Sequence, residues 1–534
     1  MNACQALRKF AVGLVFSCLL VSPCFGFALL GPYEDWMQVS NSFRLSQMFP
    51  EADVNDGEIT YIPGDIGGPM PIGSEYRWNV PVISYAFDQS FVDYFGAEGM
   101  REVEAAFKML NQLPAASQIN PTNYPTDVVR PNYPAMTVGL YDLKSTTLSL
   151  LLEQLGLAQP TRNIVVVRRM NSLFEGYYPA SAQLDPFLDD YFYRRNFDLD
   201  SYSSSFFVNG ALHEFVFLWP VWLGSQIGDA VEISIDHLPV RHLAVADGLP
   251  EAGYYFTGLS RDDIGGLRYL LNFTNINFET PLTDVHRLEA FRIRNGGSER
   301  DLTATWYPGV EKINFVRHPY LPRQNRSLVL RRRYTDYFYE NGALQGARVE
   351  RDISRPDILF TVDNGEETPA NHRFIYPVTR TGTTNWINNA VANGNADGPG
   401  PGTIVPQIHF AFRRLGNQLV TYLGESGAYQ LRKAWASYTS NSSIITYPSQ
   451  RFLKKHAGDM VVRQTHWDLT NNSWTFSQAQ FWKLPVPIGG LALLQNSTDQ
   501  TNWITQLTVT NAGGVIEWSC YSSNSAEIFR VIPK

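Results

Sequence analysis

The sequence predicts a multidomain chain: an α+β N-terminal domain, then a β-rich region, then a small C-terminal β-sandwich. Three observations carry this. Apolar residues recur at helical spacing only before residue 272. After it come short runs rich in β-branched and aromatic residues. From residue 484 on, such runs alternate with turn-rich segments at the close spacing of an antiparallel sandwich. At 534 residues the chain is long enough for roughly two to four ordinary domains. The expected division is a leader over 1–28, the α+β domain over 29–272, the β-rich region over 273–483 and the sandwich over 484–534.

The leader is read from Arg8 and Lys9, which precede an uncharged apolar run from Phe10 to Leu20. That is the layout of a secretory signal peptide. Ser17, Ser22 and Pro23 interrupt the apolar stretch, which falls short of the roughly 20 residues that span a bilayer. Gly26 and Ala28 are small and each has a tolerable residue two positions earlier, so cleavage is expected after one or the other. Cys24 follows Pro23, a poor setting for lipid attachment. Cys4, Cys18 and Cys24 leave with the leader, and Cys520 alone remains. An exported chain without disulfides is held together by burial. The full chain carries 43 basic and 51 acidic residues; loss of Arg8 and Lys9 leaves 41 against 51, a net charge of −10. Such a chain has no global attraction for nucleic acid or anionic lipid. The basic run Arg331–Arg332–Arg333, interleaved downstream with Tyr334, Tyr337 and Tyr339, reads as a solvated strand face. No nucleic-acid partner and no transmembrane segment in the mature chain are expected, and its destination is the periplasm, the cell surface or the medium.

Within the first domain, Val80 to Phe87 reads as a strand. Met100, Val103, Phe107 and Leu110 define a helix that Pro114 ends. Leu148, Leu151, Leu152 and Leu155 define a second helix, starting at Asp142 or Ser145 and stopped by Gly156. Ile164 to Val167 reads as a short central strand. Ile264, Leu267, Leu270 and Leu271 define a third helix, with Ser260 as N-cap and Asp262 and Asp263 in its first turn. Further on, strands are expected at Lys312–Val316, Ser327–Leu330, Asp357–Val362 and Ile408–Phe412, with a loop from Asn393 to Gly402. The tail has strand candidates at Leu491–Gln495, Trp503–Val509, Val515–Trp518 and Ile528–Ile532.

Leu494-Gln495-Asn496-Ser497-Thr498-Asp499-Gln500-Thr501-Asn502-Trp503, with Thr508-Val509-Thr510-Asn511 and Phe529-Arg530-Val531, resembles a fibronectin-type-III-like β-sandwich found at the C-termini of many large exported bacterial proteins. Tyr76-Arg77-Trp78 with Tyr85-Ala86-Phe87 resembles the first strand of matrixin-type zincins, and Leu259 to Leu270 resembles the helix that closes their catalytic domain. This second likeness implies the fold only, because neither the third His nor the Met turn can be placed.

The candidate metal site is His213-Glu214. A zinc peptidase needs a second His four residues on, so that two imidazoles share one helix face while the Glu activates water. Position 217 is Phe, and the alternation Leu212, Glu214, Val216 against His213, Phe215, Phe217 fits a strand better. His237 and His242 complete a candidate ligand set with His213, but Pro239 between them breaks regular helical spacing. Asp185, Asp189 and Asp190, with Asp198 and Asp200, crowd a segment rich in aromatic rings; paired carboxylates beside rings are what a glycosidase uses, and oxygen-rich loops also suit calcium. No cofactor is expected, zinc and calcium being the ions these residue types would take. Trp386, Trp435, Trp467, Trp474 and Trp482 are either packing residues or flat rings for polysaccharide. The expected function is therefore that of an exported, non-enzymatic protein with a binding, adhesion or envelope-structural role toward polysaccharide or other envelope proteins. The alternative is a hydrolase, either an atypical metallopeptidase or a carbohydrate-active enzyme.

Overall fold

Val82–Phe87 is apolar almost without interruption, and a run of that kind belongs inside a sheet covered on both faces. In the computed structural model it lies next to the edge of a five-stranded sheet in the order Asn314–Arg317, Val82–Phe87, Ile358–Asp363, Ile408–Arg413, Val378–Thr379. The first four strands are parallel and the last is antiparallel. The structure describes residues 25–32, 66–137, 140–167, 192–218, 244–288, 304–363 and 400–414. It also describes short segments at 176–178, 229–234, 378–379, 385–389, 419–424, 427–432, 434–439, 444–447, 466–468, 473–475, 482–484, 491–497, 504–510, 516–518 and 528–533. Over these residues the chain is a mixed α/β protein with few helices and many strands in several sheets.

The helix Gln89–Asn111 covers one face of this mixed sheet, and its start is set by Asp88, whose Oδ1 accepts from the Phe91 amide at 2.9 Å. It begins about three turns before the periodic stretch that predicts it, because Gly96 (φ 66°) joins a first segment to a second across a kink. Aromatic rings make the contact: Phe107 stacks on Tyr85 at 3.9 Å and meets Phe315 at 5.0 Å, while Phe91 and Phe95 reach Phe360 and Phe412. The helix Leu143–Gln154 has Asp142 as its N-cap, accepting from the Ser145 amide and hydroxyl. It is buried on every side, Ser145, Thr146, Thr147 and Ser149 included, which its leucine stripe alone does not convey. Gly156 (φ 105°) ends it in a conformation that favours glycine. Ile164 and Val165 are buried outside any strand; only Val166–Val167 pairs, with Phe192–Tyr193.

The helix Arg261–Leu271 starts at the expected N-cap Ser260, which forms a capping box with Asp263. Its acidic first turn faces inward: Asp262 and Asp263 are fully buried. Against this helix lies the strand Phe27–Gly31, buried throughout and paired with Asn196–Phe197, Gly68–Met70 and Leu157–Ala158.

A second five-stranded sheet is wholly antiparallel, ordered Ile276–Glu279, Thr305–Pro308, Leu330–Glu340, Ala343–Ile353, Val285–Arg287. Its centre is a hairpin of two 11-residue strands joined through Asn341 and Gly342, both at positive φ (51° and 77°), the conformation of a tight two-residue hairpin turn. Ser327–Leu330 is expected as a strand here, with the basic run after it as a solvated strand face. The structure corrects this to the much longer Leu330–Glu340, because an arginine-rich outer face hides a buried inner one.

A six-stranded sheet runs Ile528–Pro533, Leu491–Ser497, Ile504–Thr510, Ile444–Thr446, Ala434–Ser437, Leu140–Asp142. Ile444 pairs with Val509 and Ala434 with Leu140, so strand pairing crosses residues 483 and 272 alike. Ile516–Trp518 pairs instead with Trp482–Leu484. Among the described residues no helix is long and apolar enough to cross a membrane.

Candidate binding face

Of the three histidines that sequence reasoning selects as candidate metal ligands, His213 is the one whose surroundings are described. It sits in the strand Ala211–Leu218, paired with Ser234, its ring buried and its Nδ1 3.1 Å from the Ala211 carbonyl. Along a strand, residues four apart are separated by about 13 Å, too far for two histidines to share a metal as they do on one helix face. Glu214 follows in the same strand, its backbone opposite Ile233. Asp185, Asp189, Asp190, His237 and His242 lie outside the described residues. Asp198 and Asp200, from the same acidic stretch, shape a turn: Asp198 Oδ1 accepts from the Ser201 amide and hydroxyl at 2.9 and 2.8 Å, and Asp200 pairs with Arg268 at 2.9 Å. Among the described residues no group of three His, Cys, Asp or Glu side chains is placed to hold a metal ion. Trp435 is a core residue, its Nε1 donating to the Arg413 carbonyl, and Trp386 packs edge-on against Tyr76.

Buried charge is instead spent on tying segments together. Arg351, fully enclosed, donates to both oxygens of Asp284 at 3.0 Å, to Asp357 at 2.6 and 3.2 Å, and to the Val82 carbonyl. Asp357 in turn accepts from the amide and hydroxyl of Ser84, so one guanidinium holds the antiparallel sheet against the mixed one. Arg77 does the same elsewhere, donating to Glu279 at 2.5 Å and to the carbonyls of Leu270, Asn275 and Tyr307. Burial pushes the Glu279 carboxyl up to about 7 against the opposing pull of Arg77. Glu75 accepts from Gly73, Tyr269, Asn275 and Asn277, which uses both of its oxygens fully. Asp263 accepts from the amides of Val245 and Ala246, and burial raises it to about 6. These groups are not arranged around a cleft. They are internal cross-links whose hydrogen bonds are made to backbone and to each other.

The arrangement that looks outward is the solvent face of the antiparallel sheet. Paired residues on neighbouring strands share a face. The register therefore lines up Phe278, Trp306, Tyr339 and Leu344 in one row across four strands. At about 4.8 Å between strands the row is roughly 14 Å long. Ile276 and Tyr337 flank it. Trp306 is 46% exposed, Tyr337 47% and Leu344 45%, while Phe278 and Tyr339 are half-buried. The rings brace one another edge to face: Phe278 against Trp306 at 5.6 Å, and Phe273 against Tyr337 at 5.8 Å. Gly346 stands opposite Tyr337 in the ladder, beside its ring and the Thr335 methyl, and with no side chain of its own it leaves that face of the ring uncovered.

Further along the same face the chemistry turns polar. Thr335 pairs with Arg348, Arg333 with Glu350 and Arg331 with Asp352, the last two as salt bridges. Two of the three guanidiniums of the basic run are thus paired with carboxylates of the neighbouring strand, and all three arginines are exposed. Sequence reasoning missed the aromatic row because its members come from four strands spread between Ile276 and Ile353 and because Leu330–Glu340 was not read as one strand; the Asn341-Gly342 pair between two alternating runs is the signal that finds it. Compared with protein-family models, with curated proteins and with solved structures, the chain matches none of them.

Proposed function

We propose that the chain is an exported bacterial protein that works by binding rather than catalysis, with polysaccharide as the occupant of the aromatic face. The observation that carries the reading is the row of Phe278, Trp306, Tyr339 and Leu344 with Tyr337 beside it, held on rigid strands and left open to solvent. Contiguous exposed apolar surface of this kind marks an interaction site. Flat rings offer apolar faces to the C–H surfaces of sugars, while Thr335, Arg348, Arg333 and Glu350 on the same face offer donors and acceptors to hydroxyl groups. The division of the chain into an α+β part, a β-rich part and a small C-terminal sandwich enters this reading as an order of composition along the sequence, because the sheets pair across it.

Co-sedimentation with insoluble polysaccharides, peptidoglycan included, tests the proposal. Trp306→Ala and Tyr337→Ala should each weaken retention by roughly tenfold, the loss of about 1–2 kcal/mol of ring contact. Absence of retention on every polymer, or retention indifferent to both substitutions, defeats it. Release of soluble sugar during the same incubation would turn the reading toward a carbohydrate-active enzyme.

A further inference from the structure

The strand Phe27–Gly31 begins where the leader is expected to end, and the two expected cuts leave different proteins behind. Cleavage after Ala28 removes Phe27 and Ala28, both fully buried, and with them the pairing to Phe197 and Asn196. The Phe27 ring packs 5.5 Å from Tyr269 and 6.3 Å from Phe197, so its loss opens a ring-sized hole above the helix Arg261–Leu271. Cleavage after Gly26 keeps the whole strand.

Around residue 26 the structure holds two buried acceptors without donors. Asp262 is 0% exposed; its Oδ2 accepts from the amides of Gly26 at 3.1 Å and Asn209 at 2.6 Å, and its Oδ1 has no hydrogen-bond partner. Asn196 is likewise 0% exposed. Its Nδ2 donates to the carbonyls of Ser205 and Phe207, which sets the orientation of the amide and leaves its Oδ1 without a partner. A side chain on residue 26 would collide with that amide, so Gly26 lies directly against it. The ionisable groups that act on Asp262 are Asp263 and Asp247, both acidic, and burial holds its carboxyl well above the usual range. A buried carboxyl and a buried amide, each touching residue 26 and each with an empty oxygen, make a site for a small cation with several N–H donors.

We propose that the leader is cut after Gly26 and that the new α-ammonium group of Phe27 turns into this site, onto Asp262 and Asn196. In the cut, a leader-removing endopeptidase adds water across the Gly26–Phe27 peptide bond. Gly26 departs with the leader as a carboxylate, and the Phe27 nitrogen takes up a proton. The ammonium then has three N–H donors for three acceptors: the two empty oxygens and the Asp262 Oδ2 that the Gly26 amide vacates. The nitrogen has a short way to travel, since consecutive residues are about 3.8 Å apart. Processing thereby completes the fold, by giving the N-terminal turn of the helix Arg261–Leu271 the positive partner it lacks in the precursor.

This inference rests on export and is independent of the binding face. The N-terminal peptide of the mature protein, isolated from its host and read by mass spectrometry, should begin at Phe27. Retention of Arg8 and Lys9 defeats export and this inference together, whereas a start at Leu29 defeats this inference alone. A chain released at Phe27 from an N-terminal fusion by a site-specific protease should melt several degrees higher than the uncut fusion, and Asp262→Asn should abolish that gain. An equal gain in both, or none in either, overturns the proposal. Should Asp262→Asn fail to fold, the unsubstituted cut protein decides: an acylating reagent at neutral pH should modify its α-amine roughly tenfold or more slowly in the native than in the denatured state, because a buried, ion-paired amine is protonated and shielded. Equal rates overturn the proposal.

Discussion

The two faces of the antiparallel sheet are made from the same strands and nearly the same residue types, yet they do opposite work. Arg332 and Arg333 stand on Leu330–Glu340 opposite Arg351 and Glu350 on Ala343–Ile353. Arg351 points inward, loses all contact with water and bonds to two carboxylates and a carbonyl. Arg333 points outward and pairs with Glu350 in solvent. Aromatic residues divide in the same way: Phe338 and Tyr307 fill the inner face while Tyr337 and Trp306 stand on the outer one. Composition is blind to this difference, because a one-residue step along a strand moves a side chain from core to solvent.

The largest expected effect is on the inner face. Arg351→Met keeps much of the side-chain volume but strands Asp357 and Asp284 without their cation. Breaking a buried pair from one side costs about 3–5 kcal/mol. Chemical denaturation measures it, and a loss under about 1 kcal/mol would place Arg351 with the surface pairs and erase the contrast between the faces.

The inner face also predicts how stability follows pH. Burial lifts Asp336 to about 7, with Glu279 adding to the rise and Arg287 opposing it, and lifts Glu279 to about 7, with Arg77 opposing and Glu75 adding to the rise. Their folded values exceed those of the unfolded chain, so near neutrality the folded protein binds protons that the unfolded chain has released. Stability is lowest above the folded values and rises as pH falls through 7 toward the unfolded value near 4. The melting temperature at pH 5.5 should therefore exceed that at pH 8, and Asp336→Asn should shrink the difference. A melting temperature that falls steadily from pH 8 to 5.5 would mean that these carboxyls are not the groups that dominate.

What was legible in the sequence follows from how local each signal is. The helix Arg261–Leu271 and its Ser260 cap are written within a dozen residues, and the structure has both. The strands Val82–Phe87, Ile358–Asp363 and Ile408–Arg413 read as short runs of β-branched and aromatic residues, the first buried along nearly its whole length and the other two alternating buried with more exposed residues. Their neighbour relations do not read at all: Val82–Phe87 pairs with strands more than 200 residues away. The inward turn of Asp262 was equally hidden, since an acidic residue in a first helical turn looks the same whether it meets solvent or Gly26. Candidate site residues fared by the same rule. His213 belongs to a strand, as its alternating neighbours indicate, whereas an aromatic row assembled from four strands has no local signature.

The smallest expected effect belongs to the outer face and is the sharpest check on the comparison. Arg333 and Glu350 meet with the arginine largely in water, 70% of its side chain exposed. An exposed pair of this kind gains little, because water solvates both ions well and ordering two long side chains costs entropy. Arg333→Ala should change stability by less than about 1 kcal/mol, several-fold less than Arg351→Met, although both arginines belong to one hairpin and both are bonded to carboxylates. Trp306→Ala should be similarly mild in denaturation while abolishing most retention on polysaccharide, since an exposed ring contributes more to a partner than to the core. The decisive pattern is the pairing of measurements: inner-face substitutions that unfold without a specific binding defect, and outer-face substitutions that lose binding while the denaturation midpoint stays in place. Should Arg333→Ala or Trp306→Ala unfold the protein as readily as Arg351→Met, the outer face would have to be covered by another part of the chain, and the polysaccharide surface would go with it.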